Sequence, residues 1–156
     1  MRREQLALDS GALQRAIQWI FGISFESWPQ QTRLADGLLR PSMVTDLEWE
    51  SFGEVTAELV RAATPPAMSH LRERNRLLSA VMPGALIDPH TDELGADWQT
   101  RIHVPLLSNP DAMLISGDVV HRLAVGFAYE INTRERHAVW NAGATPRVHL
   151  MFDLHK

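Results

Sequence analysis

The stretch RLLSAVMPGALIDPHTD, Arg76 to Asp92, decides how this chain folds. Leu78, Ala80 and Met82 alternate with Leu77, Ser79 and Val81, the period-2 pattern of a strand whose side chains take opposite faces. Pro83-Gly84 then reads as a turn and Ala85–Pro89 as a second strand. Short strand-like pieces follow at Thr100–Leu107, Ala112–Ile115, Val119–Val125, Phe127–Asn132, His137–Asn141 and Arg147–Phe152. Turn chemistry separates most of them, at Ser108-Asn109-Pro110, Ser116-Gly117-Asp118 and Ala142-Gly143. No βαβ alternation runs through this half, so many short strands with regular turns predict a sandwich or barrel. The expected fold class is mainly β (α+β), a jelly-roll core behind an N-terminal helical flank.

Upstream the pattern is helical. Ser10 can cap a segment running through Leu13, Ile17, Trp19 and Ile20 to Gly22. Phe52–Ala63 is a second helix, with Val55, Leu59 and Val60 on one side. Thr64-Pro65-Pro66 ends it and predicts a short third helix with Thr64 as its N-cap. Trp28-Pro29 and Gly37–Pro41 read as loop and turn. The expectation is one domain over residues 1–156, with residues 1–75 a mostly helical flank and 76–153 the core.

Composition bounds the function. The hydrophobic fraction is 45% and the charged fraction 22%, ordinary for a globular chain. The formal net charge is -4 and no Lys or Arg tract occurs, so nucleic acid is not an expected partner. With no cysteine, thiolate metal sites and disulfides are excluded, and any metal must be held by His, Asp or Glu. No apolar segment is long enough to span a bilayer, and the arginines at the N-terminus have no apolar run behind them. A cytoplasmic protein without membrane association is expected.

Within Ile87-Asp88-Pro89-His90-Thr91-Asp92, His90 and Asp92 lie two apart and face the same way on an extended chain. His137 is the best-placed third ligand, 137 - 92 = 45 residues on, a gap that holds about four short strands. Two imidazoles and a carboxylate make the facial triad of non-haem Fe(II) oxygenases, which leaves coordination positions open for a chelating 2-oxo acid and O2. Zn would instead favour a tetrahedral hydrolytic site.

Arg147 follows His137 by 147 - 137 = 10 residues, and a guanidinium matches the far carboxylate of a dicarboxylate. Arg147 and His149 share one strand face, and Arg101 and His103 repeat that arrangement on another strand. Two Arg-x-His strands would line an anion-accepting interior, in preference to two solvated faces. His149 either lines that interior or has a supporting or structural role. Asn141 either hydrogen-bonds near the metal or forms a turn. Glu93–Gln99, with Gly95 and Trp98, is a candidate lid. His70, His121 and His155 lack such neighbours and are not expected to be ligands.

These segments together resemble the aspartyl/asparaginyl β-hydroxylase family. The matching pieces are Met82-Pro83-Gly84, Pro89-His90-Thr91-Asp92, Arg101-Ile102-His103-Val104-Pro105-Leu106, His137-Ala138-Val139-Trp140-Asn141, and Arg147 through Asp153. The resemblance covers about Arg76 to Asp153 and implies a double-stranded β-helix, with Fe(II), 2-oxoglutarate and O2. It implies His90, Asp92 and His137 as metal ligands and Arg147 on the distal carboxylate of 2-oxoglutarate. Arg101 and His103 would help to hold co-substrate or substrate. Asp92 stands where the animal members have glycine, so the chain looks more like bacterial members with an HxD…H triad, such as the proline cis-hydroxylases. The implied reaction is hydroxylation of an unactivated C–H of an amino acid, free, carrier-bound or in a peptide. The competing readings are a cupin-like metal-dependent hydrolase or isomerase, and a non-enzymatic metal- or metabolite-binding jelly roll. Nothing in the sequence specifies the oligomeric state.

Overall fold

The computed structural model describes residues 3–8, 10–21, 42–45 and 52–156. The elements run β1 (Arg3–Ala7), α1 (Ser10–Phe21), β2 (Ser42–Thr45), α2 (Phe52–Ala63), a 3-10 turn (Pro66–Met68), then β3 (Arg72–Val81), β4 (Leu86–His90) and β5 (Trp98–Leu107). β6 (Ala112–Ser116), β7 (Val119–His121), β8 (Phe127–Ile131), β9 (His137–Asn141) and β10 (Arg147–His155) complete the order. A six-stranded sheet has the order β1-β8-β5-β10-β3-β2, and a four-stranded sheet the order β4-β9-β6-β7. The paired strands are antiparallel. This is a mainly β double-stranded β-helix, the jelly-roll core predicted by the strand pattern and the fold implied by the resemblance.

Alternation along the large sheet gives its two faces different work. Leu78 and Ala80 on β3, Ile102 and Val104 on β5, and Val148, Leu150, Phe152 and Leu154 on β10 pack with α1 and α2 in one apolar cluster. α2 meets this surface with Thr56, Leu59, Val60 and Ala63, buried at helical spacing, and α1 with Ala12, Leu13 and Ala16. The other face of the large sheet looks toward the small sheet. There Val81, Ala85, Leu114, Leu123, Tyr129, Ile131 and Val139 form a second apolar cluster inside the roll.

The turn at Pro83-Gly84 is as read. Ala85 N–H donates to Met82 O at 2.9 Å, and Gly84 takes φ 79°, which only glycine adopts without strain. The N-terminal region carries two strands besides α1 and α2: β1 pairs with β8, and β2 with β3, so both extend the large sheet. The 75/76 boundary also falls within β3. Thr64 does not cap a third helix. Its Oγ1 donates to Val60 O at 2.7 Å and closes the C-terminus of α2, and the Pro-rich chain after it manages only a 3-10 turn. The 119–125 strand stops at His121, because Leu123 turns into the roll. The expected loops at Trp28-Pro29 and Gly37–Pro41 lie outside the described residues. No helix among the described residues is long and apolar enough to cross a membrane.

Candidate metal centre

β4 is an edge strand, which is why it tolerates Pro89. Its pairing with β9 shifts between Ile87 and His90, a bulge at Asp88-Pro89. The bulge re-aims the strand end and sets His90 opposite His137. Their rings lie 4.4 Å apart, centroid to centroid, tilted by 52°. Asp92 follows the strand and is pinned by its own N–H, which donates to Thr133 O at 3.0 Å. The ligand atoms of His90, Asp92 and His137 all lie within 4.8 Å of one another.

Hydrogen bonds orient each of these candidate ligands. His90 Nδ1 lies 2.6 Å from Asp88 O, and His137 Nδ1 lies 2.8 Å from Glu135 O. A carbonyl only accepts, so both Nδ1 atoms carry the proton and both Nε2 lone pairs are left for an ion. Burial lowers the pKa of His137, and neighbouring His90 adds to the shift against the pull of Glu135 O and Asp92. The ring is thus kept neutral, as a metal requires. Asp92 Oδ2 accepts from Arg101 Nη1 at 2.7 Å, and its Oδ1 lies 3.4 Å from His90 Nε2. Two neutral nitrogens and one carboxylate oxygen, preoriented and converging, fit a divalent transition metal.

A cavity of about 210 Å³ opens beside this triad between the two sheets. Its apolar wall includes Leu77, Ile87, Leu114, Val139 and Met151. Four polar side chains on it end in buried atoms with no hydrogen-bond partner: Ser79 Oγ, His103 Nε2, Thr133 Oγ1 and Arg147 Nη1. Unmet buried donors and acceptors are costly, so four facing one cavity mark a place built for a polar ligand. Arg147 is the most telling. It is buried to 3% exposure and forms no ion pair among the described residues. Loss of hydration alone pushes its pKa down to about 9. Burial, reinforced by the charge of Arg147, also pushes His103 and His149 well below the usual histidine range. Their rings meet edge to face with centroids 5.7 Å apart.

The structure thus brings His90, Asp92, His137, Arg101, His103 and Arg147 to one cavity. Arg101, however, is held by carboxylates of the protein itself, Asp92 and Asp153. Asn141 is not brought there. Its Nδ2 donates to Val81 O and Thr145 O, both at 2.8 Å, and its Oδ1 accepts from Asn109 and Gly143. All four of its hydrogen-bonding positions are taken, two by the turn after β9, one by the end of β3 and one by Asn109. His149 lies behind the cavity against His103. The Glu93–Gln99 segment is tied down: Trp98 opens β5 at 4% exposure, Arg134 stacks on it at 4.9 Å, and Arg134 Nη2 donates to Gly95 O at 2.9 Å. His70, His121 and His155 stay outside the triad. Sequence reasoning gave no role to Ser79, Thr133 or Asp153. Period 2 puts Ser79 on the face of Leu77, and cross-strand register sets Asp153 opposite Arg101, but neither shows without the strand pairing.

Similar solved structures share this fold. The non-haem α-ketoglutarate-dependent epimerase SnoN from nogalamycin biosynthesis matches with a TM-score of 0.73 at 14% identity, over 99% of this chain and 78% of that one. A Pseudomonas putida prolyl-4-hydroxylase matches with a TM-score of 0.64 at 17% identity, over 99% and 92%. The viral collagen prolyl hydroxylase from Paramecium bursaria Chlorella virus-1, in its 2OG complex, matches at 0.61 and 9% identity, over 99% and 96%. By sequence, no individual curated protein matches the chain. The family model described as aspartyl/asparaginyl beta-hydroxylase matches residues 48–156. That span takes in both histidines and the aspartate of the triad together with Arg147, and the chain belongs to the aspartyl/asparaginyl β-hydroxylase family.

Proposed function

We propose that this protein is an Fe(II)- and 2-oxoglutarate-dependent oxygenase that hydroxylates an amino acid, free, carrier-bound or within a peptide. The observation that carries the reading is the pairing, in one cavity, of a convergent His-Asp-His triad with a buried arginine that has no counter-ion among the described residues. Neither half explains the other; a metal-chelating dicarboxylate explains both. Family membership and the shared fold support it.

His90 Nε2, His137 Nε2 and Asp92 Oδ1 would hold the metal. When bound, Fe(II) with 2-oxoglutarate and O2 supplies oxidative decarboxylation of the 2-oxo acid coupled to insertion of one oxygen atom into a C–H bond. Arg147 would take the distal carboxylate, with the Ser79 hydroxyl, on the next strand of the same wall, as a second donor. His103, neutral through burial, would offer Nε2 to the same ligand. The apolar wall of Leu77, Ile87, Leu114, Val139 and Met151 excludes water from the reacting end. Thr133 Oγ1 would face the substrate or the metal-bound ligand.

The test is anaerobic. Fe(II) is loaded, 2-oxoglutarate is added, and the visible spectrum is recorded, since a 2-oxo acid chelated to Fe(II) gives a charge-transfer band. The expected result is a band that is lost with O2 as succinate forms. Iron binding with no band would refute the co-substrate assignment and favour the hydrolase or sensor reading.

A further inference from the structure

Asp153 is fully buried, yet it does not belong to the triad. It accepts from Arg101 twice, Nε at 2.7 Å and Nη2 at 2.9 Å, in a side-on fork. Asn75 Nδ2 donates to it at 2.9 Å, and Trp98 Nε1 at 3.3 Å. The backbone is shaped for this contact: Asn75 takes φ 55°, and the β3–β10 register shifts between Met151 and Asp153. The third face of the guanidinium, Nη1, reaches Asp92 Oδ2 at 2.7 Å. Three of the five N–H donors of Arg101 are thus committed to carboxylates of the protein, one of them the metal-binding carboxylate.

From this geometry we infer that Arg101 is a positioning residue for the metal carboxylate, with Asp153 as its anchor, rather than a clamp for the substrate or the co-substrate. The inference rests on the metal-site reading above. The fork on Asp153 fixes the guanidinium plane on β5, and Nη1 then holds Asp92 Oδ2. This leaves Oδ1 as the single oxygen turned toward His90. Asp92 lies beyond the end of β4, where no strand pairing restricts its side chain, so its orientation must come from such partners. Trp98 and Asn75 satisfy the remaining lone pairs of Asp153 and keep that anchor from turning.

Co(II) titration of the metal-free full chain tests this, read by the ligand-field absorption of the bound ion and without turnover. Arg101→Lys keeps the charge and loses the fork, and Asp153→Asn keeps the shape and loses the charge. Both are expected to weaken Co(II) binding 10- to 100-fold and to alter the absorption envelope. Trp98→Phe, which removes one hydrogen bond to Asp153, should do so by roughly two- to tenfold. Arg76→Lys is the control for general destabilisation, because Arg76 bonds Glu73, Gly53 O and Thr56 away from the triad. It should lower the melting temperature with the Co(II) affinity unchanged. If Arg101→Lys fails to fold, Trp98→Phe still decides, since it leaves the ion pair in place. Wild-type Co(II) affinity and spectrum in Arg101→Lys, or in Trp98→Phe where that variant decides, would overturn the inference alone. The same holds if Arg101→Lys retains Co(II) affinity and loses only 2-oxoglutarate affinity. Failure of the wild-type chain to bind Co(II) at all would overturn the metal-site reading and this inference with it.

Discussion

Replacing Arg147 by methionine should have two effects of opposite sign. The guanidinium is buried and has no counter-ion among the described residues, and loss of hydration holds its pKa down to about 9. An arriving carboxylate would supply the missing partner. Removing one member of a buried charge pair costs about 2–5 kcal/mol, so 2-oxoglutarate affinity should fall roughly 30- to 4,000-fold. In the ligand-free protein the same change removes an uncompensated buried charge and leaves a side chain of similar length. Such relief is neutral to stabilising by up to about 3 kcal/mol. At about 2–4 °C per kcal/mol for a chain of this size, the melting temperature should hold or rise. Calorimetric titration of the metal-loaded protein with 2-oxoglutarate and thermal unfolding of the metal-free protein check the two halves. A melting temperature several degrees lower would mean that Arg147 is structural, and an unchanged dissociation constant would refute its role as anchor.

His90→Ala and His137→Ala should each abolish metal binding and turnover while leaving the fold intact, as followed by circular dichroism and Co(II) titration. His103 and His149 are kept neutral by burial, so below about pH 6.5 the unfolded chain binds protons that the folded chain refuses. Stability of the metal-free protein should therefore fall as pH drops below about 6.5, by at most ~2.7 kcal/mol per pH unit for the pair, and His149→Gln should flatten that slope in urea titrations at pH 5 and 7. Asn141→Ala strips a buried amide from four partners and should cost about 2–4 kcal/mol, read as a shifted urea midpoint. Gly143→Ala would push a methyl group into the Asn109 amide, which is tied to Asn141 and Thr145, and should cost about 1–3 kcal/mol by the same measurement.

The legible parts of this molecule were those set by local rules. Strand alternation and the Pro83-Gly84 turn give the roll, because a period of 2 and a type II turn need no partner to be recognised. α2 is read to the residue as Phe52–Ala63, because its apolar spacing and the Thr64-Pro65-Pro66 stop are both local. β1 and β2 were missed because four- and five-residue edge strands owe their existence to the neighbour they pair with. The site divides in the same way. His90 and Asp92 share a face by spacing alone, and His137 and Arg147 follow from the order of strands. The commitment of Arg101 to Asp153 depends on the β5–β10 register, and the Asn75 contact with Asp153 on a register shift between β3 and β10, which no sequence spacing encodes. Asn141 looked like a site residue from its place beside His137. A residue four on from a ligand in a five-residue strand faces the same way but lies near the turn, and there the turn claims it.

One sheet therefore serves two purposes through alternation. Along β10, Val148, Leu150, Phe152 and Leu154 bind the helices, while Arg147, His149, Met151 and Asp153 serve the cavity face. β5 does the same with Ile102 and Val104 against Arg101 and His103. The apolar face stabilises the strands enough to carry a buried unpaired arginine and two neutral histidines, none of which favours folding by itself. A one-residue slip of β10 against β5 would exchange the faces, burying Arg147 among the helices and separating Asp153 from Arg101. The buried ion pair makes that slip costly, because it would leave the Asp153 carboxylate buried without its guanidinium. On this reasoning the Arg101–Asp153 pair fixes the register of the two central strands as well as the angle of Asp92, and a single geometric device sets both.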